Sequence, residues 1–409
     1  MSTGRKSYYI PKKAAVQQKR RTKNSSKTST TKKSRRAPSI RTTQIGQVHA
    51  LYLSVLFACM TAFGLIILLS ASSVAGHFEN GDALGLFRRQ LTWAAIGAVG
   101  FFVASRLDYR LLRKVVTPML VVSVGLLVAV LIPGIGINAN GSSRWLGIGP
   151  LVIQPAEIAK FVLVVFIAHL LTLRERRMNR PEMTVRRTML VLATYSLLLL
   201  LQPKLGTIVV LGLTSVIMLF VAGSRLRYLT GWAAAGGAVF TAAVLTSDHA
   251  VRRLQAFFDP LSNLDAGAFQ PVQSQVAAAS GGLTGVGIGA GRAKYGFLPE
   301  VESDFIFANL AEETGLVGST AVIGFYLLVA WFGFRAAMNA PERFGMLLAA
   351  GFTALITMQA FLNIGVVIGV LPTTGVPLPF VSAGGSSLVM MLTAAGIITN
   401  VARRAKVKT

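Results

Sequence analysis

The chain has 409 residues, of which 53% are hydrophobic and 14% are charged, and its formal net charge is +26. Soluble proteins of this length carry more charge and fewer apolar residues, so the composition indicates an integral membrane protein. One cysteine and four scattered histidines exclude a disulfide framework and argue against a structural zinc site. Most of the basic excess lies in a tail and in alternate loops, which favours membrane topology over nucleic-acid binding.

Residues 1–48 are predicted to be a disordered cytoplasmic tail. They contain fourteen Lys and Arg residues and no Asp or Glu, so they cannot bury enough apolar surface to fold alone. We expect this tail to be attracted to anionic membrane lipid, with docking to a partner protein as the alternative. Residues 404–409 are predicted to be a second, short basic cytoplasmic tail.

Residues 49–403 are predicted to form one all-α, polytopic transmembrane domain with about ten helices, each of which needs about 20 apolar residues to cross the bilayer. The longest polar interval, residues 248–304, is predicted to be a large extracytoplasmic loop between helices 7 and 8. The apolar stretches lie at 50–74, 91–105, 115–134, 155–173, 188–202, 207–222, 230–247, 306–334, 344–370 and 384–402.

The distribution of basic residues predicts the orientation of these spans. With the tail inside, the inner segments hold 32 Lys and Arg residues, the outer segments hold eight, and Lys160 lies within a span. This bias predicts that both termini are cytoplasmic. Loops rich in Gly and Pro then face outwards, which indicates that the protein acts at the outer leaflet.

Asp304 is the candidate chemical centre, because it closes the loop 248–304 where an apolar, helix-like segment begins. A carboxyl group at the mouth of a membrane helix is costly to hold and well suited to proton transfer. A helix N-cap is the alternative role, and it is compatible with catalysis. Glu300, in the same acidic run, is a candidate substrate contact.

Glu157 and Lys160 are three residues apart in QPAEIAK, so they share a helical face and can pair. Ionisable groups inside a span are expensive unless they are paired or face a wet cavity. Either the two residues form a structural ion pair, or Lys160 presents its charge to a phosphate group. The sequence leaves both alternatives open.

Several outer residues are candidate substrate contacts. Arg144 lies outside against the charge bias, beside Trp145, and Arg89 lies in a similar position, so both arginines are candidate phosphate ligands. The run SGGLTGVGIGAG follows no strand, which excludes a dinucleotide-binding fold. Its glycines allow close backbone approach or present amide N–H groups to an anion. The remaining candidates around this run are Gln275, Ser280 and Gly281.

Five ordered motifs within residues 50–402 resemble the SEDS family of bacterial cell-wall synthases, the group of FtsW, RodA and SpoVE. They are QPAEIAK, QPKLGT, SGGLTGVGIG, FLPEVESDFIFANLAEETG and NIGVVIGVLPTTGVPLPFVSAGGSS. The resemblance implies ten transmembrane helices and a peptidoglycan glycosyltransferase that polymerises lipid II. It also implies a class B penicillin-binding protein as partner, Asp304 as the essential acid, and a functional Glu157–Lys160 pair.

Two positions depart from the family pattern. Lys204 stands in QPKLGT where the family usually has Asp, and Ala383 stands where it commonly has Tyr. The lysine could reorganise the network around the Glu–Lys pair, contact pyrophosphate directly or reduce activity. Neither departure changes Asp304, so the enzyme interpretation is retained.

The resemblance implies a base near an acceptor sugar hydroxyl and positive charge near a pyrophosphate leaving group. Asp304 suits the first role. For the second role, the candidates are Lys160, Arg144, Arg89, Lys204 and Lys294. A divalent cation, Mg²⁺ or Mn²⁺, could share it through a carboxylate and the phosphates.

Other functions and settings follow from the same resemblance. A lipid II flippase and a scaffold that activates a partner synthase are the rivals. Within the family, the long basic tail and LPTTGVPLPF favour a division-type over an elongation-type polymerase. The expected setting is the bacterial plasma membrane at the septum, among other division proteins and membrane lipids, without nucleic acid.

Overall fold

The computed structural model describes residues 40–139, 142–148, 151–177, 181–260 and 268–405. Its long elements are almost all helical, and ten of the helices coincide with the ten predicted apolar stretches. In chain order the helices are α1 (Ile40–Asn80), α2 (Gly85–Arg106), α3 (Leu112–Ala129), α4 (Pro155–Arg177), α5 (Pro181–Leu200), α6 (Leu205–Val221), α7 (Leu226–Leu245), α8 (Asp248–Phe258), α9 (Phe269–Ser280), α10 (Ile306–Met338), α11 (Arg343–Val367) and α12 (Gly385–Arg403).

The chain is an all-α, multi-pass membrane protein, as predicted. Among the described residues, seven helical segments are long and apolar enough to cross a membrane, and α6 is a shorter apolar helix. The total number of spans and their orientation stay predictions. The seven segments are Gly46–Val74, Tyr109–Ala129, Pro155–Leu173, Leu226–Leu245, Ile306–Met338, Arg343–Val367 and Gly385–Arg403.

Both ends of the predicted transmembrane domain can be compared with the structure. Helix α1 begins at Ile40, so residues 40–48, which were predicted to belong to the disordered tail, are helical. Residues 1–39 and 406–409 lie outside the described residues, and the prediction for them is therefore untested.

The predicted loop between α3 and α4 contains a small sheet that the sequence did not reveal. Strands β1 (Gly136–Ala139), β2 (Ser142–Ile148) and β3 (Leu151–Ile153) are antiparallel in the order β1-β2-β3. Trp145 pairs with Ile137, and Leu146 pairs with Ile153. Arg144 is the extra residue of a β-bulge, because Ile137 pairs with Trp145 and the next residue of β1, Asn138, pairs with Ser143.

Helix α11 lies in the interior of the helix bundle. It packs against α10, α6 and α4, and most of its residues are buried. Three of those buried residues are polar: Thr353 and the two amides Gln359 and Asn363. Polar side chains in the interior of a membrane protein need hydrogen-bond partners, and those of the two amides lie at the candidate site.

The glycine-rich run supports a break in α10. Gly315 has φ 66° and ψ −163°, a conformation that is essentially restricted to glycine. Backbone hydrogen bonds join the glycine-rich run to the broken part of α10. Two amide groups of the run, those of Val286 and Gly287, donate to carbonyls of this helix. These bonds favour the close-approach alternative for the run over anion binding. The bonds that join the run to α10 are Val286 N to Glu312 O, Gly287 N to Glu313 O, Leu316 N to Gly282 O and Val317 N to Leu283 O.

Replacing Gly315 with Ala is expected to destabilise the protein by about 1–3 kcal/mol or more, because a side chain is strained in this conformation. The added Cβ would also lie 2.3 Å from the backbone N of Gly285. Gly324→Ala in the same helix is the matched control, since its Cβ would meet nothing within 4 Å. Thermal unfolding in detergent should show a loss for the first variant alone, and equal melting temperatures would contradict the prediction.

Candidate active site

Asp304 lies in the turn before α10 and lines a cavity of about 130 Å³. The N-cap position of α10 belongs to Phe305, and no side chain caps it, so the N-cap role considered for Asp304 is wrong. The carboxyl group is therefore available to the cavity. The other lining residues are Arg253, Gln270, Phe305, Asn363, Val366, Thr373, Thr374, Gly375 and Val376.

The segment between α11 and α12 holds the acidic turn through its backbone. Ser382 Oγ donates to the carbonyl of Ser303 at 2.6 Å, and the amide of Ala383 donates to the carbonyl of Glu302 at 2.8 Å. A Cβ on Gly375, which has φ 62°, would lie 3.4 Å from Asp304 Oδ2. Ala383, which departs from the family pattern, contributes its backbone amide. Its hydrogen bond to the carbonyl of Glu302 therefore does not depend on the side chain at this position.

Three basic residues from distant segments act electrostatically on Asp304: Arg144 of β2, Lys204 before α6, and Arg253 of α8. Arg144 also fixes the turn that carries Lys204. Its Nε donates to the carbonyl of Gln202 at 3.1 Å, and its Nη2 donates to the carbonyl of Pro203 at 3.3 Å. These three cations form a basic cluster around Asp304, and Arg253 is the one of them that also lines the cavity.

The environment of Asp304 shifts its pKa upwards. Burial is the largest cause, and the negative charge of Glu300 adds to it, whereas Lys204, Arg253 and Arg144 act in the opposite direction. A raised pKa brings the carboxyl group closer to the pH range in which it can accept and release a proton.

Lys204 is the most strongly shifted cation of the cluster. Burial lowers its pKa to about 7, and the positive charges of Arg144 and Lys160 contribute, although Glu157 and Asp304 oppose the change. Its ammonium group therefore loses its charge close to neutral pH. The carboxyl group of the Asp that is usual at this position in the family ordinarily titrates far below neutral pH, so its charge would not change there.

Glu157 and Lys160 form the predicted pair on α4, with Lys160 Nζ and Glu157 Oε1 2.8 Å apart. Lys160 also donates to Gln359 Oε1 at 2.6 Å, and its side chain is 1% exposed. The pairing is thus confirmed, and the burial supports its structural alternative over direct phosphate binding.

Lys294 is a second buried cation, and its contacts argue against the predicted leaving-group role. Its ammonium group binds Glu313 Oε1 at 3.1 Å, Ser70 Oγ at 3.0 Å and the carbonyl of Gly289 at 2.5 Å. These bonds use all three ammonium hydrogens. Glu312 beside it accepts hydrogen bonds from the amides of Arg292 and Ala293.

Apart from Asp304, none of the predicted site residues lines the cavity. Arg89, Gln275 and Ser280 are exposed on α2 and α9, and Trp145 lies on β2. Gly281 serves packing, since a Cβ there would lie 2.1 Å from the carbonyl of Ala311. Glu300 is exposed and accepts a hydrogen bond from Ser303 Oγ at 2.9 Å.

Arg253 was not selected from the sequence, although a usable signal was present. It belongs to the strongly amphipathic helix α8, DHAVRRLQAFF, and its Arg pair lies outside against the charge bias. The signal is the helical periodicity of α8 within the predicted loop 248–304, which turns Arg253 towards the cavity.

Among the described residues there is no group of three or more His, Cys, Asp or Glu side chains that could hold a metal ion. A divalent cation held jointly by Asp304 and substrate phosphates stays a prediction, because Mg²⁺ often takes most of its ligands from phosphate and water.

The sequence of the chain is similar to a protein family and to several known proteins. The family model described as "Cell cycle protein" and named for FtsW, RodA and SpoVE matches residues 50–407. Stage V sporulation protein E of Bacillus subtilis is 36% identical over 86% of this chain and 96% of its own length. The probable peptidoglycan glycosyltransferase FtsW of Geobacter metallireducens is 37% identical over 87% and 95%.

A solved structure supports the same relationship. It is described as "Structural coordination of polymerization and crosslinking by a peptidoglycan synthase complex", and one of its chains matches with a TM-score of 0.70. The two chains are 29% identical, and the match covers 86% of this chain and 97% of the other.

Proposed function

The chain belongs to the cell cycle protein family of FtsW, RodA and SpoVE, and we propose on this premise that it polymerises lipid II into peptidoglycan glycan strands at the outer leaflet. The name of its Geobacter relative, probable peptidoglycan glycosyltransferase, supports assignment as a glycosyltransferase. The observation that carries the proposal is Asp304 at a cavity that Arg253 also lines, with Arg144 and Lys204 acting electrostatically on the same carboxyl group.

In the proposed reaction, Asp304 accepts the proton of an acceptor sugar hydroxyl. The resulting oxygen nucleophile attacks the anomeric carbon of the lipid-linked donor, while the bond from that carbon to the diphosphate oxygen breaks. Attack opposite the leaving group inverts the anomeric centre. General-base assistance of this kind contributes about 10²–10⁴-fold to the rate.

The three cations are suited to the charge that develops on the leaving diphosphate. Arginine offers several donors in a planar fork that matches phosphate oxygens, and lysine offers a compact charge. Arg253 replaces Lys160 and Lys294 in the proposed set, because both lysines are buried in ion pairs. The apolar helices below the cavity would accommodate the polyprenyl chains.

The cellular setting is also part of the proposal. The match to a chain from a peptidoglycan synthase complex supports a class B penicillin-binding protein as partner, and the relatives named FtsW support a division role. Septal localisation of a fluorescent fusion would support a division-type enzyme, whereas lateral-wall localisation would indicate an elongation-type one.

Purified protein should convert labelled lipid II into glycan polymer, and a liposome assay run beside it should separate the rival functions. Transfer of lipid II between leaflets without polymer would indicate a flippase. Polymer that forms only when a partner synthase is added, with unchanged yield from an Asp304→Asn variant, would indicate a scaffold. Either result would overturn the proposed chemistry.

Replacing Lys204 with Arg is expected to change the alkaline side of the pH–rate profile. The pKa of Lys204 is about 7, so its charge is present below that pH and is lost as the pH rises above it. Polymerisation by the wild-type protein should therefore decline above neutral pH, whereas arginine stays charged and should remove the decline. Initial rates between pH 6 and pH 9 measure this effect, and identical alkaline limbs would show that the charge of Lys204 is not used.

A further inference from the structure

Two amide side chains on α11 link the buried ion pair to the backbone of Asp304. Gln359 and Asn363 are four residues apart, so they lie on one helical face, and they are 0% and 2% exposed. Each side chain contacts two other segments of the fold. Neither belongs to the group of charged residues from which the proposed chemistry is built.

Gln359 joins α4 to the segment between α11 and α12. Its Oε1 accepts from Lys160 Nζ at 2.6 Å, and its Nε2 donates to the carbonyl of Pro377 at 2.9 Å. The amide orientation is fixed by these partners, because an ammonium group can only donate and a carbonyl can only accept.

Asn363 joins the same segment to the acidic turn. Its Nδ2 donates to the carbonyl of Val376 at 2.8 Å and to the carbonyl of Asp304 at 2.7 Å. Its Oδ1 is buried without a hydrogen-bond partner, which is costly. The two donated bonds are therefore the interactions that favour an amide at this position.

The two amides bind consecutive carbonyls, those of Val376 and Pro377, and so complete a continuous path. It runs from the Glu157–Lys160 pair through Gln359 to the segment 376–377, and from there through Asn363 to Asp304. Tyr326 Oη also donates to Pro379 at 2.6 Å, which restrains the far side of this segment.

We infer that Gln359 and Asn363 are positioning residues, which transmit the fixed geometry of the Glu157–Lys160 pair to the catalytic turn and hold Asp304 at the cavity. The ion pair then contributes to the reaction without touching substrate, which agrees with the burial of Lys160. The inference rests on the proposed function, because it assigns these residues to the reaction of Asp304.

The test compares Asn363→Ala and Gln359→Ala with Asn400→Ala as a matched control. Asn400 is also a fully buried amide that donates to two backbone carbonyls, Ala104 and Leu107, but it lies in α12 away from Asp304. All three variants should lose thermal stability. In the polymerisation assay, the first two should lose about 10²-fold in kcat with KM unchanged, as expected for a misplaced catalytic group, while the control keeps its kcat.

Asn363→Asp is nearly isosteric with the wild-type residue. The pH dependence of its activity is a readout that a purely structural role would not change. The introduced carboxyl group can donate one hydrogen bond when protonated and none when ionised. Activity of this variant should therefore fall as the pH rises through the pKa of that group. This variant also keeps the test decisive if the alanine variants do not fold.

The outcomes separate failure of the positioning role from failure of the proposed function. Equal kcat values for Asn363→Ala and Asn400→Ala, a loss expressed in KM alone, or a wild-type pH profile in Asn363→Asp would each overturn the positioning role while wild-type polymerisation stands. A wild-type protein that makes no polymer under any condition would instead overturn the proposed function, and this inference with it.

Discussion

Asp304→Asn should lower lipid II polymerisation by about 10²–10⁴-fold, the range that general-base assistance contributes. Asparagine has nearly the same shape as aspartate but cannot accept the proton of the acceptor hydroxyl at neutral pH. The hydrogen bond from the side-chain Nδ2 of Asn363 to the backbone carbonyl of residue 304 does not involve the substituted side chain. We therefore expect a folded, membrane-inserted protein that binds donor and forms almost no polymer.

Asp248→Asn is the control for this prediction. Asp248 is an exposed acid in the first turn of α8, within the same predicted outer loop and outside the cavity lining. Its replacement removes the same charge and should leave polymerisation unchanged. Initial rates with labelled lipid II, normalised to folded protein, measure both variants, and wild-type-like synthesis by Asp304→Asn would remove the base from the mechanism.

The wild-type rate should also fall on the acid side of the profile. Burial and the charge of Glu300 raise the pKa of Asp304, so the ionised base is lost at a higher pH than for an ordinary aspartate. Because the base must be ionised to act, activity should rise with pH through this raised pKa.

Lys160→Met should have the largest effect on stability, about 3–5 kcal/mol, as found when one partner of a buried ion pair is removed. The substitution leaves the carboxylate of Glu157, which is 3% exposed, without its counter-ion. Gln359 Oε1 also loses its donor. Equilibrium unfolding in mixed detergent micelles, followed by circular dichroism, measures the loss.

The double variant Glu157→Gln with Lys160→Met distinguishes charge burial from packing. It removes both charges, so it should recover a large part of the stability that the single variant loses. A single variant as stable as the wild type, or a double variant no more stable than the single one, would show that burial of the ion pair is not what makes Lys160 important.

The amino-acid sequence by itself determined the membrane character, the positions of the ten apolar helices, and the Glu157–Lys160 pair. These features depend on local patterns, since an apolar stretch must satisfy its backbone hydrogen bonds internally, and residues three apart on a helix are neighbours. Asp304 also stood out locally, as an acid immediately before an apolar helix.

Only the tertiary structure decided which charges meet Asp304. Arg144, Lys204 and Arg253 are distant from one another in the sequence, and they share their position against the charge bias with Arg89 and Lys294. The structure buries Lys294 against Glu313 and brings Arg253 to the cavity. The physical reason is that burial and electrostatic proximity arise from packing between distant segments, which periodicity along one segment does not encode.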